Sequence, residues 1–149
     1  MTTPIGVTGQ LQSLFVGYFG RAGDPAGMKY WTTSVTSGQN TLEQIASSFA
    51  VQPEATARYP YLANPLTADP TAFINQVYLN LFNRRADAEG LAYWSSKLAA
   101  AQGNAQAVGQ LILDVISGAT GFDNAYIQNK VAVATSYLDQ VSAANIGWN

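Results

Sequence analysis

The sequence predicts an all-α protein: two tandem, similar helical units of about three helices each, packed as one compact domain, plus a C-terminal amphipathic helix. Three observations predict this fold class. Apolar residues recur at helical spacing along most of the chain. A thirteen-residue segment that begins at residue 19 recurs 63 residues later without a gap. No stretch alternates over a strand's length without also fitting a helix. We place the first unit and its linker at residues 1–64, and the second unit with the C-terminal helix at residues 65–149.

The repeated segment carries most of this argument. Residues 19–31 read FGRAGDPAGMKYW, and residues 82–94 read FNRRADAEGLAYW. Phe, Arg, Asp, Gly, Tyr and Trp are identical at six of the thirteen positions. Apolar positions before and after the segment align at the same offset, so two copies of one helical unit are expected.

The helices of the first unit follow from apolar stripes and capping residues. The second helix begins at Asp24, an N-cap residue, followed by Pro25 at the first helical position. Thr41 opens the third helix, and Gln44 three residues later predicts a capping box. The three stripes are Leu11, Leu14, Phe15, Tyr18 and Phe19; then Met28, Trp31 and Val35; then Leu42, Ile45 and Phe49.

The second unit repeats these elements. Asp69 and Pro70 predict the start of its first helix, and Asp87 predicts the start of its second. The three stripes are Ile74, Val77, Tyr78, Leu81 and Phe82; then Leu91, Trp94 and Leu98; then Val108, Leu111, Ile112 and Val115.

Prolines separate the two units, and a further helix follows the second. Pro53, Pro60 and Pro65 lie within residues 52–68 and break long helices there, leaving a short helical turn near residues 54–58. A final helix is predicted to begin near Asp123, and residues 147–149 are expected to form an interrupted tail. Its apolar stripe has the spacing 4, 3, 4, 3: Ile127, Val131, Ala134, Leu138 and Val141.

We interpret the repeated motif as structural. Each Arg is expected to bond the last carbonyls of the preceding helix, or to pair with the Asp three residues later. Each Asp is expected to cap the next helix, each Gly to allow close helix approach, and each Trp to fill the core. The alternative is that Arg, Asp, Tyr and Trp line a sugar site. The motif residues are Arg21, Asp24, Gly27, Tyr30, Trp31, Arg84, Asp87, Gly90, Tyr93 and Trp94.

Composition excludes several classes of function. The chain has no Cys and no His, which removes disulfides, Cys or His metal sites and Ser-His nucleophile pairs. A net charge of −2 lacks the basic surface of a nucleic-acid-binding protein. No apolar run is long enough to span a membrane, and residues 1–10 do not resemble a secretory signal. The nine Asp and Glu residues are explained as helix caps and solvated helix faces, so we expect no enzyme activity, no cofactor and no metal site. Pro25 and Ala26 also occupy positions where a calcium-binding loop needs ligands.

The two motif copies and a later segment of the chain resemble a bacterial family. The two motif copies and the later NKVAVATSYLDQV are similar to the domain of unknown function found in surface-layer proteins and in large RTX-type proteins. This resemblance implies type I secretion without an N-terminal signal peptide, an extracellular location on the cell surface, and a position in the N-terminal part of a larger protein. It also implies attachment to lipopolysaccharide, with other copies of the protein as further partners in a lattice.

Three functions compete on this basis. The first is an anchoring or assembly module that binds cell-surface polysaccharide, such as the lipopolysaccharide O-chain. The second is a helical scaffold for protein–protein contacts or self-assembly, and the third is an enzyme. Tyr59, Tyr61 and Asn64 in the linker are the candidate sugar-binding residues. The alternative for the two tyrosines is that they attach the linker to both units.

Overall fold

The structure, a computed structural model, describes residues 6–144 apart from the side chains of residues 138, 139 and 141–144. Within that part of the chain it contains nine helices and no strand, which confirms the all-α prediction. The helices are α1 (Val7–Phe19), α2 (Pro25–Thr36), α3 (Leu42–Ala50), α4 (Pro53–Arg58), α5 (Pro60–Ala63), α6 (Thr71–Phe82), α7 (Ala88–Ala100), α8 (Ala105–Ser117) and α9 (Gly121–Ala144).

The predicted capping residues define three of the helix starts. The Asp24 carboxylate accepts from the Gly27 N–H at 2.6 Å, and the Asp87 carboxylate accepts from the Gly90 N–H at 2.7 Å. Thr41 and the residue three positions later form the predicted capping box at the start of α3. Each of these caps satisfies an amide that the helix cannot pair internally, and a cap stabilises by about 1 kcal/mol.

The start of α6 differs slightly from the prediction. The helix begins at Thr71 instead of Pro70. The Asp69 carboxylate accepts from both the hydroxyl and the N–H of Thr71, at 2.7 and 2.8 Å. These two hydrogen bonds lower the pKa of Asp69.

The first helix of each unit ends in the same backbone conformation. Gly20 follows α1 with a φ of 66°, and Asn83 follows α6 with a φ of 59°. This left-handed conformation favours Gly and is tolerated by Asn better than by most other residues. The second turn therefore keeps the geometry of the first although its sequence differs.

Helix α1 lies at the centre of the fold. All residues from 11 to 19 are buried, and α1 packs against α2, α3, α4, α6, α8 and α9. The Tyr18 hydroxyl donates to the Ala46 carbonyl of α3 at 2.7 Å. Burial raises the pKa of Tyr18, so this hydroxyl stays protonated and keeps donating.

Equivalent positions of the repeat face each other in two places. A Cβ atom at Gly109 would lie 2.6 Å from the Ser47 nitrogen and 2.8 Å from the Ala46 carbonyl carbon, so α3 and α8 approach very closely. The Asn80 side-chain nitrogen donates to the Gly17 carbonyl at 3.0 Å, and these residues are 63 apart in sequence. Ala46 and Gly109 have the same separation. The division into units at residue 64 itself stays a prediction.

The linker contains two short helices. The turn predicted near residues 54–58 is α4, whereas α5 differs from the prediction, because Pro60 starts a short helix there as well as ending the one before it. Both helices have Pro at their first position, where its missing N–H costs nothing.

The C-terminal helix is present, and its inner face is buried as predicted. Ile127, Val131 and Ala134 are all buried. The side chains of Leu138 and Val141, which complete the predicted stripe, lie outside the described residues, as does the predicted tail. The outer face of α9 is not purely polar, since Phe122, Val133 and Tyr137 are exposed. The helix is therefore less amphipathic than predicted.

The two motif tryptophans are less buried than predicted. Met28 and Leu98 of the same stripes are fully buried, but Trp31 and Trp94 are half-buried and pack against the edge of the core. They cover the core and do not fill it.

Candidate functional site

The turn after α1 is held to α4 by Arg21. Its Nε and Nη2 atoms donate to the two carboxylate oxygens of Glu54 at 3.0 and 2.7 Å. Its Nη1 atom donates to the Ala22 carbonyl at 2.9 Å. The guanidinium carbon also lies 5.5 and 5.4 Å from the ring centroids of Phe15 and Phe19. The hydrogen bonds to Glu54 raise the pKa of Arg21.

Arg84 makes the same set of contacts in the second copy. Its Nε and Nη2 atoms donate to the carboxylate of Asp123 at 3.0 and 2.6 Å, and Nη1 donates to the Arg85 carbonyl at 2.9 Å. Its guanidinium carbon lies 5.3 and 5.9 Å from the ring centroids of Tyr78 and Phe82. Each motif Arg thus fastens its turn to the first turn of a later helix, α4 in one case and α9 in the other.

The predicted partners of these arginines were wrong. The carboxylates of Asp24 and Asp87 cap helices, and neither Arg bonds the last carbonyls of the helix before it. The true partners, Glu54 and Asp123, are 69 residues apart instead of 63, so they do not align in the repeat.

The surroundings of the two motif glycines differ from the prediction. A Cβ atom at Gly27 would lie 3.0 Å from the capping oxygen of Asp24, and the equivalent distance at Gly90 from Asp87 is also 3.0 Å. No backbone atom of another helix is among the nearest neighbours of either position, so neither glycine marks a close helix approach.

Each copy presents an exposed Tyr beside a half-buried Trp. The ring centroids of Tyr30 and Trp31 are 4.8 Å apart with an interplanar angle of 76°, and those of Tyr93 and Trp94 are 4.8 Å apart at 75°. Tyr30 is 64% exposed and Tyr93 is 53% exposed. The Trp94 indole N–H donates to the Tyr78 hydroxyl at 3.0 Å, which fixes its ring.

The two linker tyrosines predicted to bind sugar are buried. The Tyr59 hydroxyl donates to the Tyr18 carbonyl and accepts from the Asn80 side chain at 3.2 Å. The Tyr61 ring stacks on Phe73 with a centroid distance of 5.7 Å. These contacts correct the prediction that the two rings face sugar and match the alternative that they attach the linker.

Burial raises the pKa of both linker tyrosines, Tyr59 and Tyr61. Asn64, the third predicted sugar-binding residue, is exposed at the end of α5. The structure therefore does not bring it together with the two tyrosine rings at one accessible surface.

A groove of about 800 Å³ lies between the turn after α1 and α9. We call it the α9 groove. It is lined by Val16, Gly20, Arg21, Ala22, Asp24, Tyr126, Asn129, Lys130, Val133, Ala134 and Tyr137. Its volume falls within the range of about 300–1,000 Å³ that is usual for ligand sites.

The α9 wall of this groove combines aromatic, polar and apolar side chains. Tyr126, Lys130, Val133 and Tyr137 have the spacing 4, 3, 4, so they share one face of the helix. The Lys130 ammonium lies 5.3 Å from the Tyr126 ring centroid. Sequence analysis missed this face, although it has the spacing of the buried stripe shifted by one residue.

The part of the chain that the structure describes contains no group of three or more metal-ligating acids that could hold an ion. None of the helices within residues 6–144 is long and apolar enough to cross a bilayer.

The chain is similar to one protein family and to one surface-layer protein. Residues 61–110 match the family described as Domain of unknown function (DUF4214), a segment that contains the second motif copy. The chain is 28% identical over 145 residues to an S-layer protein of Synechocystis sp., covering 91% of this chain and 8% of that protein. No solved structure matches the chain. The resemblance to this family, and its association with S-layer proteins, is confirmed.

Proposed function

We propose that this chain is a non-catalytic module of an exported surface-layer protein and that it attaches to cell-surface polysaccharide through the α9 groove. The groove is the single observation that carries the proposal. The similarity to an S-layer protein supports the surface location, and the resemblance of the motifs supports type I secretion as the export route.

The chemistry of the groove suits a carbohydrate. Sugar rings have apolar C–H faces that pack on aromatic rings, and hydroxyl groups that need hydrogen-bond partners. Tyr126 and Tyr137 supply the rings, and Asn129 and Lys130 supply polar groups between them on the same helix. Few well-placed polar groups in a mostly apolar concave site are typical of small-ligand binding.

The weak charge of the chain argues for neutral sugars. Only 11% of the residues are charged, and the net charge is −2, so little electrostatic attraction toward phosphate groups is available. We therefore place attachment on the polysaccharide chain and not on the lipid headgroup or on core phosphates.

A protein-binding scaffold is the second candidate. It is favoured by exposed apolar side chains at the start and in the middle of α9, Phe122 at 95% exposure and Val133 at 70%. A self-assembling surface protein could use these side chains between copies.

Binding to lipopolysaccharide extracted from the source cells tests the proposal. We expect the parent protein to bind smooth lipopolysaccharide and not lipopolysaccharide that lacks O-polysaccharide. Tyr137→Ala and Lys130→Ala should each weaken binding at least tenfold with little change in melting temperature. Phe122→Ala, on the same helix but outside the groove, is the matched control and should bind like the parent.

The results separate the two candidates. Failure of the parent to bind either form of lipopolysaccharide would refute polysaccharide attachment. A solution mass that rises with protein concentration, and falls in Phe122→Ala, would then support the scaffold.

A further inference from the structure

Two motif residues, Tyr30 and Tyr93, pack edge-on against the neighbouring Trp and leave the rest of their rings on the surface in both copies. The shared Phe is buried, the shared Arg binds a carboxylate, the shared Asp caps a helix, the shared Gly donates its N–H to that cap, and the shared Trp covers the core. The shared Tyr is more than half exposed in both places. A tyrosine ring with a polar hydroxyl that stays exposed in both copies is suited to contact a ligand.

The two tyrosines have matching surroundings. Each ring stands edge-on to the neighbouring Trp at 4.8 Å. Thr33 and Ser96 follow their Tyr by three residues and are also exposed, so a hydroxyl lies on the same helix face as each ring. Lys97 lies 5.1 Å from the Tyr93 ring centroid and occupies one face of that ring.

We propose that Tyr30 with Thr33, and Tyr93 with Ser96, form two equivalent subsites for neutral sugar residues, separate from the α9 groove. This inference rests on the proposed function, because it assigns the polysaccharide as their ligand. In each subsite the ring packs against the apolar face of a sugar, and the hydroxyl bonds a sugar hydroxyl. The second subsite uses the ring face that Lys97 leaves open.

The fold relates the two subsites to each other. Asn80 contacts Gly17 and Gly109 contacts Ala46, and the partners in each pair occupy equivalent positions of the repeat. Contacts between equivalent residues are what an approximate two-fold axis produces. The two subsites therefore occupy equivalent positions of the repeat.

Two equivalent subsites suit a polymer of repeating sugars. A polymer that reaches both subsites binds the second at a high effective concentration, and such linkage raises avidity by about 10²–10⁴-fold. Loss of either subsite should therefore weaken retention on a dense polysaccharide surface more than it weakens binding of a short soluble fragment.

The test measures dissociation from immobilised smooth lipopolysaccharide of the source cells. We expect Tyr30→Ala and Tyr93→Ala each to dissociate at least tenfold faster than the parent, and the double variant faster than either. Tyr30→Phe and Tyr93→Phe keep the ring and should stay within about threefold of the parent. Leu66→Ala serves as the control at an exposed apolar residue outside both subsites, and melting temperatures check that each variant is folded.

The outcomes distinguish this inference from the proposed function. Parent binding that is lost in Tyr137→Ala but unchanged in Tyr30→Ala and Tyr93→Ala overturns the two subsites and leaves the groove intact. Absence of any parent binding overturns the polysaccharide proposal, and the subsites with it. Equal losses in the Ala and Phe variants would overturn ring packing as the mode of contact.

Discussion

Replacing Asn80 with Asp should destabilise the protein strongly although the side chain keeps its shape. The Asn80 nitrogen donates to the Gly17 carbonyl at 3.0 Å and to the Tyr59 hydroxyl at 3.2 Å, and the residue is buried. Asn80→Asp replaces the amide nitrogen with a carboxylate oxygen, which cannot donate. The Gly17 carbonyl and the Tyr59 hydroxyl then each lose the hydrogen bond that they accept. Each buried group left unsatisfied costs about 1–3 kcal/mol, so we expect a loss of about 2–5 kcal/mol at pH 7. Urea or thermal unfolding measures it, at about 2–4 °C of melting temperature per kcal/mol.

The pH dependence of this variant provides a second check. Burial raises the pKa of a carboxyl above its ordinary value, so the folded variant holds its proton more tightly than the unfolded chain does. Stability relative to the parent should therefore be better near pH 4 than at pH 7, because the protonated carboxyl donates a hydrogen bond again. Asn104→Asp is the control: this exposed N-cap accepts from the Ala107 N–H at 2.7 Å, and Asp caps equally well. Equal stability of Asn80→Asp and the parent at pH 7 would refute the donor role.

Further expectations concern packing, ion pairing and salt. Gly109→Ala should lower the free energy of unfolding by about 1–2 kcal/mol, because the new methyl group forces α3 and α8 apart. This loss outweighs the gain in helix propensity. A higher melting temperature than that of the parent would contradict the close contact. Arg84→Ala should lower the free energy of unfolding by about 1 kcal/mol or less, since its ion pair is partly exposed. Arg84→Lys should not restore the two-pronged contact, because Lys cannot bond both carboxylate oxygens as a guanidinium does, and a salt titration of stability tests this. Replacing a fully buried Trp with Ala typically lowers the free energy of unfolding by roughly 3–5 kcal/mol. Because Trp31 and Trp94 are only half-buried, Trp31→Ala and Trp94→Ala should each lose no more than about 3–4 kcal/mol in denaturant unfolding. Polysaccharide binding should survive 1 M NaCl, where the Debye length falls to about 3 Å; loss of binding there would indicate phosphate contacts.

Local sequence rules predicted the helices well because the responsible residues are close in the chain. Asp24, Asp87 and Thr41 begin helices by bonding amides three residues later, and this spacing can be read directly. The apolar stripes identified the core helices for the same reason.

Contacts between distant residues were beyond that reasoning. Whether Arg21 pairs with Asp24 or with Glu54 depends on how α4 packs, and no spacing rule states it. The burial of Tyr59 depends likewise on Tyr18 and Asn80, which are 41 and 21 residues away.

The α9 groove was missed because it arises from two segments more than a hundred residues apart. One wall belongs to the turn after α1, and the other belongs to α9. The exposed face of α9 has helical spacing, but its neighbour in space can be found only from the fold.

The position of α9 also determines the order in which the chain can complete its fold. This last helix packs directly on α1, the first, and on α2 and α6. The face of α1 that α9 covers therefore stays open to water until α9, which begins at Gly121, packs on it. Contacts of such long sequence separation close slowly, because loop entropy must be overcome before they form. We therefore expect the packing of α9 on α1 to be a late step in folding.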